Sequence, residues 1–203
     1  MSTRGKNNRI IPTSNAPFRA GKGWIYEGGI KVPLIIHYPK EIKAKVDTES
    51  IILGIDVFPT ITDFALNKQV IGIDGKSFRK VLENKGKWSE RTVYWNSYKA
   101  RPSQTGDIKT SAIRVGDFKL LHFIETNKVE LYNVKLDISE KNDLATKMPK
   151  KVQEMLGQLN NWKAEKEIEM KSNHKGDGEI SPKKESKKAE RKAARKANEQ
   201  NAE

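Results

Sequence analysis

Four short runs between residues 91 and 134 constrain this chain more than anything else in it. They are "RTVYWNSY", "TSAIRVG", "FKLLHFIE" and "KVELYNV". Each is strand-length, rich in β-branched and aromatic residues, and bounded by turn residues. Gly116-Asp117 and Thr126-Asn127 supply two of the turns. Short connections between consecutive strands require antiparallel neighbours, so the runs predict a four-stranded meander. The segment that follows, "MPKKVQEMLGQLNNWKAE" (148–165), changes period. Val152, Met155, Leu156, Leu159 and Trp162 recur at helical spacing, with Pro149 near the start. Four strands do not leave both faces wet, so this helix is expected to cover one of them.

Upstream the pattern is less complete. Residues 1–23 are rich in Gly, Asn, Ser and Pro and read as loop. "IKVPLIIHYP" (30–39) is an apolar run bounded by glycines and Pro39, the signature of a strand buried on both faces. "IILGIDVFPTITDFAL" (51–66) places Val57, Phe58, Ile61, Phe64 and Ala65 at helical spacing. Asp56 is the expected cap, and Pro59 suits the first turn. "IGIDGKSF" (71–78) carries an Asp-Gly turn, and "RKVLENKGKW" predicts a short helix ending at Gly86. A strand such as "VPLIIHY" needs a neighbour on each edge, and this stretch supplies almost none. Residues 1–90 therefore read as the end of a larger α/β domain, 91–165 as an antiparallel-sheet subdomain, and 166–203 as a basic, disordered tail.

Composition supports the last boundary. From Lys163 on there is no aromatic residue, and Ile168, Met170 and Ile180 are the large apolar ones. Such a segment cannot bury enough surface to offset its ordering entropy. The formal charge is +13, of which the part before Lys163 carries +10. The positive field is thus not confined to the tail, and it favours anionic partners. The 203 residues include no cysteine, which excludes disulfides and thiolate metal sites. No apolar stretch approaches a membrane span, and the first residues have no apolar signal region.

The run "TSNAPFRAGKGWIYEGGIKVPLIIHYP" resembles the segment of type I sulfatases that leads from the active site into a core strand. "IDVFPTITDFAL", "GIDGKSF", "YWNSY", "SAIRVGDFKLL", "VELYNVKLDISEKNDLA" and "LNNW" resemble that family in order and at compatible spacing. The resemblance covers roughly residues 2–163. It implies an alkaline-phosphatase-superfamily fold: the end of a sulfatase-type α/β domain, then a four-stranded antiparallel sheet subdomain with a covering helix. It implies hydrolysis of a sulfate ester, such as that of a sulfated saccharide or an aryl sulfate. It also implies a parent protein that is exported to the periplasm or cell exterior.

Sulfate-ester hydrolysis needs a nucleophile, a cation at the sulfate, and donors to its oxygens. The family's nucleophile is a formylglycine made from Cys or Ser in a Cys/Ser-x-Pro-x-Arg motif. The nearest approach here, Ser14-Asn15-Ala16-Pro17-Phe18-Arg19, is one residue too long between Ser and Pro and is assigned to the loop. The family's calcium ligands are an early Asp-Asp pair and a later Asp-Asn pair; with this sequence starting "MST", both are expected upstream of Met1. No catalytic and no metal-ligating residue is therefore assigned to this chain. Lys22, between Gly21 and Gly23, matches the lysine that reaches the sulfate in the family. A lysine is a compact point charge with three donors, and flanking glycines let the backbone approach a ligand. Asn96 stands in "YWN" where many relatives have "YWH", so it is a second substrate-binding candidate, able to donate but not to titrate.

Other residues carry blander expectations. Glu27 of Tyr26-Glu27-Gly28-Gly29 is expected to satisfy loop amides. His37 is expected to pack in a core strand; His122 lies in the meander and His174 in the tail. Arg114 and Lys119 flank the Gly116-Asp117 turn and read as hairpin surface, while Trp24, Trp95 and Trp162 read as core or interface aromatics. Two other functions stand beside the sulfatase reading. One is a non-catalytic basic module that binds sulfated polysaccharide or nucleic acid, although no groove-reading helix or aromatic-interleaved basic motif favours nucleic acid. The other is a phosphoryl- or phosphono-hydrolase of the same superfamily, since Lys22 alone does not discriminate sulfate from phosphate.

Overall fold

The computed structural model describes residues 14–86, 88, 90–100 and 105–166. The expected tail, with His174, and the first residues of the N-terminal loop lie outside them. The chain divides into two units, Met1–Trp162 and Lys163–Glu203, and residues 163–166 are the described part of the second. In chain order the helices are α1 (Glu27–Ile30), α2 (Val57–Leu66) and α3 (Arg79–Leu82). Strands β1 (Val93–Ser97), β2 (Thr110–Val115), β3 (Phe118–Phe123) and β4 (Lys128–Asn133) follow, and then helix α4 (Pro149–Glu165).

The four strands form one antiparallel sheet in the order β1-β2-β3-β4, the meander that their periodicity predicts. Gly116 takes φ +55°, as the tight two-residue connection from β2 to β3 requires. Register pairs Tyr94 with Ile113, Ile113 with Leu120, and Leu120 with Leu131. Directly paired residues share a face, so these four make one apolar row across the sheet. Helix α4 covers that row. Its Met155 and Leu159 are buried against Ile113, Leu120 and Leu131, and Trp162 stacks on Tyr94 at 4.8 Å between ring centroids. Pro149 opens the helix at a position where no amide donor is missed.

The opposite face is covered by a segment that the sequence pattern assigned elsewhere. Ile25 and Tyr26 pack on Ala112, Leu121, Phe123 and Tyr132, with Trp24 and Trp95 partly buried at the margin. The stretch around α1 is thus the sheet's second layer. Trp24, Trp95 and Trp162 all sit in or beside the two cores, as expected.

Several local expectations are corrected. Residues 31–38 join no sheet and are exposed, with Ile35 at 89%; a strand has no stability without an edge to pair with. His37, on that run, is accordingly exposed rather than packed. Helix α2 forms where its spacing predicts, but it turns Pro59 and Thr60 inward and leaves Phe58 62% and Ile61 61% exposed. Helix α3 stops at Leu82, before Gly86, because Asn84 turns the chain left-handed at φ +58°.

Asp56 does not cap α2 with its side chain. It is fully buried, and its carboxylate accepts from the Leu53 amide (2.7 Å), the Lys76 amide (2.9 Å) and Arg91 Nη1 (2.7 Å). One carboxylate thereby ties the start of α2, the turn before α3 and the entry to β1. Asp56→Ala is expected to cost about 2–3 kcal/mol of local stability, because it strands charge-assisted bonds in a dry site. Amide exchange at Lys76 should accelerate while that of Leu120 in β3 holds; an unchanged Lys76 amide would remove Asp56 from this role.

Candidate functional site

Lys22 sits at the exposed tip of a turn whose geometry depends on glycine. The Trp24 amide donates to the Gly21 carbonyl (3.1 Å), and the Gly28 amide donates to the Arg19 carbonyl (3.0 Å), closing residues 19–28 into a loop. Gly23 takes φ +104°, which side-chain-bearing residues rarely adopt. At Gly29 a Cβ would overlap the Trp24 carbonyl, so the loop closes only around glycine there.

Under this loop lies a group of buried charges. Lys119 is fully buried, and its ammonium is 2.9 Å from Glu27 Oε1 and 3.0 Å from Glu140 Oε1. The second oxygen of Glu140 accepts from the Glu27 amide at 2.7 Å. Arg19 donates to the Glu140 carbonyl and to the Tyr132 hydroxyl, both at 2.8 Å, and lies 3.9 Å over the Tyr26 ring. The Tyr26 and Tyr132 hydroxyls both donate to Glu130 Oε2, at 2.6 and 2.8 Å. Burial and the adjacent Glu130 charge push both tyrosines well above the ordinary phenol value, so they stay donors. Burial opposes ionisation of Glu130, but hydrogen bonds from Lys128, Tyr26 and Tyr132 outweigh it and hold the carboxyl below its ordinary value. Glu140 goes the other way: burial raises it, and Lys119 and the Glu27 amide only partly pull it back.

These contacts correct two expectations. Lys119 is not hairpin surface, and Glu27 pairs with that lysine rather than with loop amides. The signal for Lys119 was in the sequence: at period two it shares a side with Leu121 and Phe123, both inward, so its charge had to meet carboxylates. Nothing local pointed to Glu140. Arg114 stays near the hairpin, its Nε donating to the Gly116 carbonyl at 3.0 Å.

Beside the loop is a hollow of about 230 Å³, lined by Gly23, Trp24, Gly29, Trp95, Asn96 and Ser97 among others. The two sequence candidates thus lie near one region: Gly23, next to Lys22, and Asn96 border the same space. The Asn96 amide oxygen accepts from Ser111 Oγ at 2.7 Å, which leaves its NH₂ as the donor group. His122 Nε2 is 2.8 Å from Asn127 Oδ1, within the β3–β4 hairpin. Among the described residues no cluster of His, Cys, Asp or Glu has the arrangement of a metal site. The buried carboxylates are committed to Lys119, Arg91 and the tyrosines, so these residues do not fit the calcium that the resemblance implies. Among the described residues no helix is long and apolar enough to cross a membrane.

The glycine turn that carries Lys22 thus lies over an antiparallel sheet whose other face is covered by one helix. The family model for the C-terminal region of N-sulphoglucosamine sulphohydrolase matches residues 20–167, and the chain belongs to that sulfatase family. It is 36% identical over 149 residues to an N-acetylglucosamine-6-O-sulfatase of Bacteroides thetaiotaomicron, covering 68% of this chain and 26% of that protein. It is 32% identical to a sulfatase of Formosa agariphila, covering 68% of this chain and 27% of the relative. Among solved structures, one in complex with its substrate D-glucosamine-2-N,6-O-disulfate aligns with a TM-score of 0.55 and 31% identity, over 67% of this chain and 28% of that one. The chain therefore spans about a quarter of the length of these relatives.

Proposed function

We propose that this chain is the C-terminal part of a sulfuric ester hydrolase acting on a sulfated saccharide, in which Lys22 donates to the sulfate group. The observation that carries the reading is an exposed lysine at the tip of a glycine turn, anchored on both flanks to the buried Glu140 and set beside a hollow. A solvated ammonium on a fixed base is suited to an anion that arrives later. The relatives' names support a saccharide sulfate: one is an N-acetylglucosamine-6-O-sulfatase, and one structure holds a sulfated glucosamine. Asn96, whose amide oxygen is taken by Ser111 and whose NH₂ is the donor group at the hollow's edge, is assigned to the saccharide.

The formylglycine and calcium of the resembled family are assigned to the remaining three quarters of such an enzyme. The uncovered apolar surface supports that assignment. Val32, Ile35, Phe58, Ile61 and Ile71 all stand exposed on residues 31–73.

The purified chain is expected to show no turnover of an aryl sulfate or of 6-sulfated N-acetylglucosamine, with or without calcium. Removing nucleophile and cation together costs many orders of magnitude. Turnover that survives chelation and exceeds that of a Lys22→Ala variant would overturn the assignment. When a segment bearing those groups is supplied in trans or fused, hydrolysis of the sulfate ester over the matching phosphate ester selects the sulfatase reading. The reverse preference selects the phosphoryl-hydrolase reading.

A further inference from the structure

We infer that Glu140 is the positioning residue of the Lys22 turn: it holds both flanks of the turn on the sheet, and Lys119 beneath it neutralises the carboxylates that do so. The inference rests on the sulfate-binding reading of Lys22, and it adds residues that lie more than 90 positions away in sequence.

The geometry is that of a clamp. On the N-terminal flank Arg19 donates to the Glu140 carbonyl at 2.8 Å, and on the C-terminal flank the Glu27 amide donates to Glu140 Oε2 at 2.7 Å. Between these anchors the Gly28 amide closes on the Arg19 carbonyl, so the intervening residues project as one loop with Lys22 exposed. Glu140 itself is fully buried and takes φ +49°, a conformation uncommon for a glutamate. That backbone state presents its carbonyl and its carboxylate to the same loop. Its other oxygen and Glu27 Oε1 share the Lys119 ammonium, on the face of β3 that also packs Tyr26. Two acids and one buried cation are a costly way to fill a core. An apolar trio of similar volume would pack there as well, but it would not fix the loop's azimuth and height. Directional charge-assisted bonds at both flanks do, and a sulfate contact needs the ammonium placed to within about half an ångström.

The test uses the full chain, inorganic sulfate as probe, and amide NMR with sodium chloride at matched ionic strength as reference. Lys22→Ala defines the specific part of the sulfate response. Glu140→Gln keeps the shape and removes the charge. It is expected to weaken Lys22-dependent sulfate binding about fivefold and to speed exchange of the Glu27 and Gly28 amides at least about tenfold, with the Leu120 and Leu131 amides unchanged. Glu27→Gln is the second variant. It keeps the Lys119–Glu140 pair and the Glu27 amide bond to Glu140 and weakens only the side-chain tie between the loop and Lys119, so a smaller change in the same direction is expected in the loop readouts if Glu140→Gln does not fold. Asp56→Asn removes an equally buried carboxylate that does not touch the loop, and it should leave sulfate binding as in the parent. Unchanged loop exchange and sulfate affinity in the folded Glu140→Gln or Glu27→Gln variant overturn the inference. Equal losses in Asp56→Asn also overturn it, since they would mark a general effect of stability. If the parent shows no Lys22-dependent sulfate response, the sulfate reading fails, and loop exchange in the variants still decides the clamp.

Discussion

Lys119→Ala is expected to lower the stability of the sheet unit by about 3–5 kcal/mol, a large fraction of what a domain of this size possesses. The magnitude follows from what remains rather than from what is lost. The substitution leaves Glu27 and Glu140 facing one another in a dry site without a cation, each less than 5% exposed. Two buried carboxylates in contact do not both ionise, so one takes a proton or the layer opens. Lys119→Met, which keeps the volume, should be nearly as damaging, whereas Lys119→Met combined with Glu27→Gln and Glu140→Gln should recover much of the loss.

The pH dependence carries the same signature. Burial, opposed by Lys119 and the Glu27 amide, holds the folded-state value of Glu140 above its ordinary 4.5. An acid whose value is raised on folding binds its proton more tightly in the folded state. Its contribution to stability is therefore complete below the ordinary value and is lost as pH rises through the raised one. Without the lysine that raised value climbs further, and the loss deepens. Urea unfolding followed by tryptophan fluorescence at about pH 5 and about pH 8 should show a wider gap for Lys119→Ala than for the parent. Equal gaps would mean that Glu140 does not respond to Lys119.

Lys22→Ala should do the opposite: almost nothing to the isolated chain and a great deal to an assembled enzyme. In this chain Lys22 is exposed, and exposed charges contribute little to folding, so its removal should change unfolding by no more than about 0.5 kcal/mol. If Lys22 meets the sulfate as proposed, then in an assembled enzyme that excludes water the same ammonium faces a group whose charge shifts in the transition state. A preorganised donor in such a setting is worth roughly 3 kcal/mol, which is about a hundredfold in kcat/KM. Lys22→Arg should also be impaired, because a planar fork does not replace a point charge at the tip of a glycine turn. The measurement is kcat/KM on a sulfated saccharide, after the missing segment is supplied and its nucleophile matured. Near-parental values for Lys22→Ala would remove the sulfate-binding role and leave the fold untouched.

The sheet and its covering helix were legible because their signals are local and repeated. Period-two runs around Gly116-Asp117, and the Met155, Leu159 and Trp162 stripe, each specify an element and the face it buries. The Lys22 turn was legible through its glycines and through the family resemblance. The apolar run at 31–38 announced burial, but burial takes neighbours, and apart from Tyr38 against Phe64 the run stays exposed.

What only the tertiary structure decided is where the charges go. Sequence pattern marks Lys119 as inward-facing but does not choose its partners, since Glu27 and Glu140 lie 92 and 21 residues away. Nor does it reveal that the loop bearing Lys22 is the second layer of the C-terminal sheet, because Ile25 and Tyr26 are too few to show a period. Periodicity reports which side of an element meets the core. It carries no address for the element on the other side, and that address is set by shape, by the need to pair every buried charge, and by the closure of the chain upon itself.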